Sequence, residues 1–304
     1  MTAARALPAV PWFEGDELEA YLAAAGLDGE ADAFVRSLAR DGYALIDLGD
    51  EARALCDRAV TDTETYFRPG VARVQDAWFR SKAVRRLAAW PKVACLLATA
   101  YGRRPFAFQT LNFRRGSEQA VHPDSIHFHS EPARFMCGVW IALEDVGPGS
   151  GPLVYYPGSH RLPVMTMRDA GVNTARPGPE HYERDFVPRF RQRVEASGLA
   201  PAHALISKGW AFVWAANLAH GGSAVTDPAS TRRSLVVHNF FEDCLYFTPM
   251  KSDPEGGKLW LRLPFDIGRG GWVWPRRSGR RAMPNLKPLI DTLSRSVLRR
   301  PIAG

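Results

Sequence analysis

After Gly102 the sequence breaks into short apolar runs, each closed by a cluster of Gly, Pro, Ser or Asp, and no other feature limits the possible folds as sharply. Runs at 106–113, 139–146, 153–156, 210–214 and 234–241 have the length of strands, and Gly147-Pro148-Gly149-Ser150-Gly151-Pro152 is a turn between two of them. Many short strands at this spacing point to a jelly roll or a related barrel.

The chain ahead of Gly102 reads differently. Apolar residues recur at helical spacing over 17–41 (Leu18, Tyr21, Leu22, then Phe34, Val35, Leu38), with a break at 26–29 and Gly42 as a stop. Residues 43–48 read as a short strand, 51–67 as a helix, and 81–101 as two helical pieces flanking Pro91. Further on, polar and charged residues over 169–198 interrupt the strands, which predicts an insertion, helical over 182–197. No segment between the halves has the composition of a linker, and nothing recurs at a fixed period. The expectation is one domain over 1–304: a mainly helical part over 1–101, a β core over 102–262 that carries the insertion, and a basic C-terminal extension over 263–304, with the helices packed on the β core.

An apolar fraction of 46% in 304 residues suits a globular chain. No apolar run approaches the roughly 18 residues that span a bilayer; the longest, 87–101, is broken by Pro91 and Lys92, and residues 1–12 lack a signal-peptide core. A cytoplasmic protein without a membrane partner is expected. Cys56, Cys95, Cys137 and Cys244 show no metal-knuckle or redox spacing, and are read as free, buried thiols. Much of the net charge of +7 sits late, at Arg269, Arg276, Arg277, Arg280, Arg281, Arg299 and Arg300, with Trp272 and Trp274 interleaved. Such a stretch can meet nucleic acid or an anionic substrate. No nucleic-acid motif accompanies it, so a solvated loop is the plainer reading, no nucleic-acid partner is expected, and the positive balance favours a small anionic or polar substrate.

His122-Pro123-Asp124 is a His-x-Asp pair. On an extended segment, side chains two apart point to one side, so an imidazole and a carboxylate can reach one metal ion. His220, which follows the strand-like run at 211–213 and precedes Gly221-Gly222-Ser223, is the best third ligand, with a Gly-rich turn expected after it. Two histidines and one carboxylate on one face leave positions open, a set suited to non-haem Fe(II) and O2. Structural zinc would want a closed four-ligand site, usually with Cys, and none is near. A His-x-Asp pair alone arises by chance; the distal His and a downstream Arg232 give it weight. Arg232 opens a run in which Arg232, Ser234 and His238 are polar while Leu235, Val237 and Phe241 are apolar, so one face can line a cavity. A guanidinium there can fork onto a carboxylate; a surface residue at a turn is the alternative. His238 reads equally well as a core or a functional residue.

Three blocks of this sequence together resemble the phytanoyl-CoA dioxygenase family. The first runs from Pro105-Phe-Ala-Phe-Gln-Thr-Leu-Asn-Phe into His122-Pro-Asp-Ser-Ile-His-Phe-His; the second is Val139-Trp-Ile-Ala-Leu-Glu-Asp-Val with Gly151-Pro-Leu-Val-Tyr-Tyr-Pro-Gly-Ser-His; the third is Asn217-Leu-Ala-His-Gly-Gly-Ser with Thr231-Arg-Arg-Ser-Leu-Val-Val-His. The resemblance extends over about 41–258. It implies a mainly β fold with flanking helices, a double-stranded β-helix (jelly roll, cupin-like) with N-terminal helices packed on the major sheet. It also implies Fe(II) on His122, Asp124 and His220, 2-oxoglutarate chelating that iron with its far carboxylate on Arg232, and O2 as the oxidant. Trp140 would lie near the co-substrate, with Gln109 and Gln119 lining the pocket. The implied activity is a dioxygenase that hydroxylates or otherwise oxidises an unactivated C–H bond of a small molecule in secondary or sugar metabolism, releasing succinate and CO2. Two departures stand out: Gly209-Trp210 where relatives often carry Gly-Asp, and Trp214-Ala215 where they often carry Trp-His. Neither is a ligand position; both bear on the substrate side. Related halogenases replace the metal carboxylate with a small residue, and the Asp124 kept here favours hydroxylation or another oxidation.

Three rivals compete. A cupin-type centre would use His127, His129 and Glu131, which share a side if the segment stays extended; otherwise His127 and His129 line the cavity or pack behind the ligands. A non-catalytic β-sandwich that binds sugars or other small molecules shares the strand pattern but does not need His122, Asp124, His220 and Arg232 together. A zinc hydrolase would need a general base beside the triad, and none stands out. His160 sits in a turn context, Pro157-Gly-Ser-His, that argues against a fourth ligand, and Tyr155 and Tyr156 read as packing or cavity wall. Specificity is expected to lie in the 169–198 insertion and near Trp272.

Overall fold

In the computed structural model the described residues are 7–174, 178, 180–285 and the backbone of 302–303. The N-terminal pattern becomes helices α1 (Leu18–Ala25) and α2 (Gly29–Asp41), strand β1 (Tyr43–Asp47), helix α3 (Asp50–Thr63), strand β2 (Arg73–Gln75), and helices α4 (Lys82–Ala88) and α5 (Pro91–Tyr101). Local chemistry sets the boundaries. The Asp28 carboxylate caps α2 by accepting from the Ala31 N–H at 2.8 Å, and Ser81 caps α4 through the Val84 N–H at 3.1 Å. Pro91 opens α5, where its missing N–H costs nothing. Gly42 ends α2 at φ +79°, and a Cβ there would fall 2.4 Å from the His160 ring, so two constraints demand glycine.

The rest of the chain supplies β3 (Pro105–Phe113), β4 (His129–Glu131), β5 (Met136–Ala142), β6 (Leu153–Tyr155), α6 (Val187–Ala196), β7 (Ala202–His203), β8 (Trp210–Ala215), β9 (His220–Gly222), β10 (Ser234–Phe241) and β11 (Leu245–Phe247). Short hairpins follow from β12 (Phe265–Asp266) with β13 (Gly271–Trp272) and from β14 (Arg276–Arg277) with β15 (Arg280–Arg281), and β16 (Ile302–Ala303) lies last. The major sheet has the order β1-β8-β5-β10-β3-β2-β16, and its neighbours are antiparallel. A smaller sheet runs β7-β6-β9.

Period-two alternation divides the major sheet into two faces. Val139, Ile141, Ala211, Val213, Leu235 and Val237 face the helices and join one core with Val35, Leu38, Cys56, Leu87 and Leu97. Trp140, Ala142, Phe212 and Trp214 face the other way and pack with Leu153, Tyr155 and Leu218 around the small sheet. Each fully buried side chain of this size contributes roughly 1.5–3 kcal/mol. The space between the two sheets narrows to the cavity described below.

The structure moves some sequence expectations. Strand 139–146 is displaced to Met136–Ala142, because Glu144 and Asp145 accept from the backbone N–H groups of Arg233 and Lys208 at 2.7 and 2.8 Å instead of continuing the ladder. The part expected to be mainly helical contributes β1 and β2 to the major sheet. Within 169–198 a π-helical turn at Tyr182–Phe186 leads into α6, and Phe186, Phe190 and Val194 pack with Ile126, Met165 and Ala219, so this segment is a wall of the core, not an appendage. The basic extension is hairpins whose arginines meet acids: Arg269 pairs with Glu242, Arg276 with Asp243, and Arg277 with Glu131. Arg299 and Arg300 lie outside the described residues. The cysteines are free, with Cys56, Cys137 and Cys244 buried as expected and Cys95 exposed, contrary to expectation. No described helix is long and apolar enough to cross a membrane.

Candidate metal centre and its cavity

His122 and His220 are joined by an isolated antiparallel bridge. The His122 N–H donates to the His220 carbonyl at 2.9 Å and the reverse bond is 3.0 Å, which places the two ring centroids 4.6 Å apart. Glycine allows this approach. A Cβ at Gly221 would sit 2.7 Å from the Gln119 carbonyl oxygen, and one at Gly222 2.6 Å from the Glu118 nitrogen. The Gly-Gly after His220 is therefore part of β9 and not the expected turn.

The expected extended His-x-Asp holds for one residue only. Pro123 is extended, at φ −98° and ψ 147°, and Asp124 then starts a 3-10 turn over Asp124–Ile126. The Ser125 N–H donates to the Ala216 carbonyl at 2.9 Å and its hydroxyl donates to Asn217 Oδ1 at 3.1 Å, which holds the turn against the chain leading to His220. One ligand atom each from His122, Asp124 and His220 lies within 4.8 Å of the others, and all three residues are buried.

The donor set fits a metal ion. His122 Nδ1 donates to the Ala120 carbonyl at 2.8 Å and His220 Nδ1 to the Leu218 carbonyl at 2.9 Å. A carbonyl only accepts, so each ring carries its proton on Nδ1 and keeps the Nε2 lone pair for a ligand. His220 Nε2 is 3.8 Å from Asp124 Oδ1, while the Trp214 indole N–H takes Asp124 Oδ2 at 2.8 Å. Burial, helped by His220 and His127, lowers the His122 pKa to about 3, which keeps the ring neutral. Burial works against ionisation of Asp124, yet the imidazoles around it, His238 foremost, hold its carboxyl below the ordinary range. Neutral imidazoles and an ionised carboxylate are the forms that bind metal.

These residues open into a cavity of about 690 Å³. Trp140, Gln109 and Gln119 line it, as does Arg232. Arg232 is 2% exposed, precedes β10 instead of beginning it, and lies 5.4 Å from the Trp140 ring. Its side-chain hydrogen bond is a long one, 3.4 Å to the Arg115 carbonyl, and among the described residues its Nε has no partner, nor has the buried indole nitrogen of Trp140. Burial alone lowers its pKa, to about 10. A buried guanidinium without a carboxylate is costly unless an anion completes it, so the seat suits the far carboxylate of a keto diacid. Gln119 Nε2 lies 3.3 Å from His122 Nε2, and Gln109 Oε1 accepts from His238 Nδ1 at 2.9 Å.

His238 stands in the cavity wall, its Nε2 3.8 Å from Asp124 Oδ2. His127 also faces the cavity and contacts the Tyr182 hydroxyl at 3.2 Å. The rival cupin triplet does not converge: the 3-10 turn ends the extension, His129 packs on Phe247 with ring centroids 5.1 Å apart, and Glu131 pairs with Arg277 at 2.8 Å. His160 sits under Gly42, and Tyr155 packs against Tyr43 and Phe212. Tyr182 and Glu183 bring the insertion to the cavity as expected, whereas Trp272 lines a separate cleft with Arg104 and Asp266. Arg73, Gln75, Thr248 and Arg262 are among the cavity residues that had not been singled out from sequence. Only the polar–apolar–polar triplet Arg73-Val74-Gln75 held a signal for any of them.

Comparison with known proteins agrees with this architecture. The model of a family described as phytanoyl-CoA dioxygenase matches residues 34–234. A phytanoyl-CoA dioxygenase of Arabidopsis thaliana is 32% identical over 99 residues, 30% of this chain and 35% of that one. The chain thus matches about a third of the length of this relative. Among solved structures, the non-heme alpha ketoglutarate dependent carbocyclase SnoK from nogalamycin biosynthesis superposes with a TM-score of 0.57 at 21% identity, over 77% of this chain and 92% of that one. The related epimerase SnoN gives 0.55 at 20% identity, over 71% and 85%. Both likenesses show the fold, a double-stranded β-helix with the helices on its major sheet.

Proposed function

The chain belongs to the phytanoyl-CoA dioxygenase family, and from that premise we propose that it is an Fe(II)- and 2-oxoglutarate-dependent dioxygenase that hydroxylates an unactivated C–H bond of a small molecule. The observation that carries this reading is the juxtaposition, in one cavity, of a buried His-Asp-His set whose rings carry their protons on Nδ1 and a buried guanidinium that pairs with no carboxylate among the described residues. His122, Asp124 and His220 would hold Fe(II), leaving open positions for the keto acid and O2. The bound iron supplies oxygen activation and hydrogen abstraction, with 2-oxoglutarate leaving as succinate and CO2.

The chain's own residues do the rest. Arg232 orients the keto acid by its far carboxylate, with Trp140 as the adjoining wall. Trp214 fixes one oxygen of Asp124 and so directs the other to the metal. Phe113, Leu111, Phe128 and Leu153 exclude water from the reacting space. Retention of a carboxylate at Asp124 favours hydroxylation over halogenation. A substrate in secondary metabolism accords with the solved neighbours from nogalamycin biosynthesis. The test is consumption of 2-oxoglutarate with Fe(II) under air: succinate formation above the metal-free control supports the reading, and its absence across a substrate panel, with no binding of 2-oxoglutarate, rejects it.

A further inference from the structure

Arg232 is one of three guanidinium groups on the cavity wall; Arg73 and Arg262 are the others. Arg73 lies on β2, opposite Phe113, and Gln75 two residues on lies opposite Leu111. All four line the cavity, so the alternation of β2 aims Arg73 inward. Arg73 is half-buried, and among the described residues no carboxylate pairs with it. Arg262 arrives from the other side. Its guanidinium lies 4.9 Å from the Phe128 ring centroid and 5.7 Å from that of Phe108, and Nη1 donates to Thr248 Oγ1 at 3.0 Å. Contact with the two rings and the bond to Thr248 hold the group in place.

The two cations act on the same space. Arg262 lies against Phe128, whose ring packs on His238 with centroids 4.8 Å apart, and Arg73 enters the same cavity beside Phe113 and Leu111. Arg232 is set by the chain just ahead of β10, against Trp140. The charged cavity residues are Arg73, Arg232 and Arg262 against Asp124 and Glu183, which is three positive minus two negative, or one positive in excess. Fe(II) and the 2-oxoglutarate dianion cancel, so the excess survives in the loaded centre. Glu183 is exposed, which leaves the interior more positive than the sum.

We propose that the substrate carries a carboxylate or phosphate group, and that Arg73 and Arg262 bind it in this cavity, leaving Arg232 to the co-substrate. This rests on the reading of the metal centre given above. The anion would take forked hydrogen bonds from Arg73 and charge-assisted ones from Arg262, which the two rings hold in place. Gln75, Tyr182 and Thr248 supply neutral hydrogen-bonding groups around it.

The experiment uses the full chain with Mn(II) in place of Fe(II) and saturating 2-oxoglutarate, which holds the centre without turnover. Benzoate, phenyl phosphate and benzyl alcohol are titrated in by calorimetry. At least one acid is expected to bind about tenfold or more tighter than the alcohol, the worth of one charged hydrogen bond, and the tighter acid identifies the group. Arg73→Gln and Arg262→Gln are each expected to remove most of that preference, with the alcohol's own affinity as the reference for an intact cavity. Should Arg262→Gln fail to fold, Arg73→Gln carries the test. Equal binding of acids and alcohol by the wild type, or a preference that survives substitution of Arg73, would overturn the proposal. Titration of 2-oxoglutarate into the same wild-type sample separates the two readings: no binding there overturns the metal centre itself and this inference with it.

Discussion

The indole N–H of Trp214 donates to Asp124 Oδ2 at 2.8 Å. This bond ties the inner face of the major sheet to the turn that carries the carboxylate, and leaves Asp124 Oδ1 on the side of His220 Nε2, 3.8 Å away. Gly138, the cross-strand neighbour of Trp214, makes room for the ring; a Cβ there would lie 2.2 Å from it. Replacing Trp214 with Phe keeps most of the ring volume and removes only the donor. Affinity for Mn(II), followed by titration, is expected to fall roughly 10- to 100-fold, with the far-UV spectrum unchanged. Unaltered metal affinity would show that the bond does not direct the carboxylate.

Arg232→Met removes the buried cation while keeping its apolar stem. The apparent dissociation constant for 2-oxoglutarate in the presence of metal should rise at least about tenfold. Arg232→Lys should recover part of the loss, because it restores the charge without the fork. A co-substrate requirement insensitive to both would take Arg232 out of the site.

Gly221→Ala places a methyl group 2.7 Å from the Gln119 carbonyl oxygen, so the segment carrying His122 must move away from β9. Overpacking of this kind costs about 1–3 kcal/mol. Urea denaturation should register that loss, and metal affinity should fall with it, since the same displacement separates His122 from His220.

Two histidines outside the metal centre, half-buried His129 and buried His160, tie stability to pH. Burial lowers the pKa of both His129 and His160 to about 4. Their ordinary value of 6.5 applies in the unfolded chain, so between about pH 4 and 6.5 the unfolded state binds more protons. Stability is therefore full above this window and is lost as pH falls through it, by up to ~1.4 kcal/mol per pH unit for each group. Urea midpoints of the metal-free protein between pH 7.5 and 4.5 should show this decline, with a shallower slope in His160→Asn. An equal slope in that variant would contradict the assignment.

What the sequence disclosed follows from how local each feature is. The strand at 234–241 was legible because polar Ser234 and His238 alternate with apolar Leu235 and Val237, although Arg232, read as opening it, lies just ahead of it. The β2 strand was not, since Arg73-Val74-Gln75 is too short to show a period, and the cavity role of Arg73 depends on pairing with β3 far along the chain. His122 and Asp124 could be paired by spacing, but the geometry that unites them with His220 is a backbone bridge and a 3-10 turn set by long-range contacts. Trp214 was visible only beside a departure from the family pattern, at Ala215. Its bond to Asp124 required the fold.

The most direct measurement is anaerobic titration of Fe(II) and then 2-oxoglutarate into the wild type and Asp124→Ala. One Fe(II) per wild-type chain, followed by metal-dependent uptake of one 2-oxoglutarate, with both strongly weakened in Asp124→Ala, is the expected result. Undiminished Fe(II) and 2-oxoglutarate binding in Asp124→Ala would place the metal elsewhere and contradict the assignment of His122, Asp124 and His220.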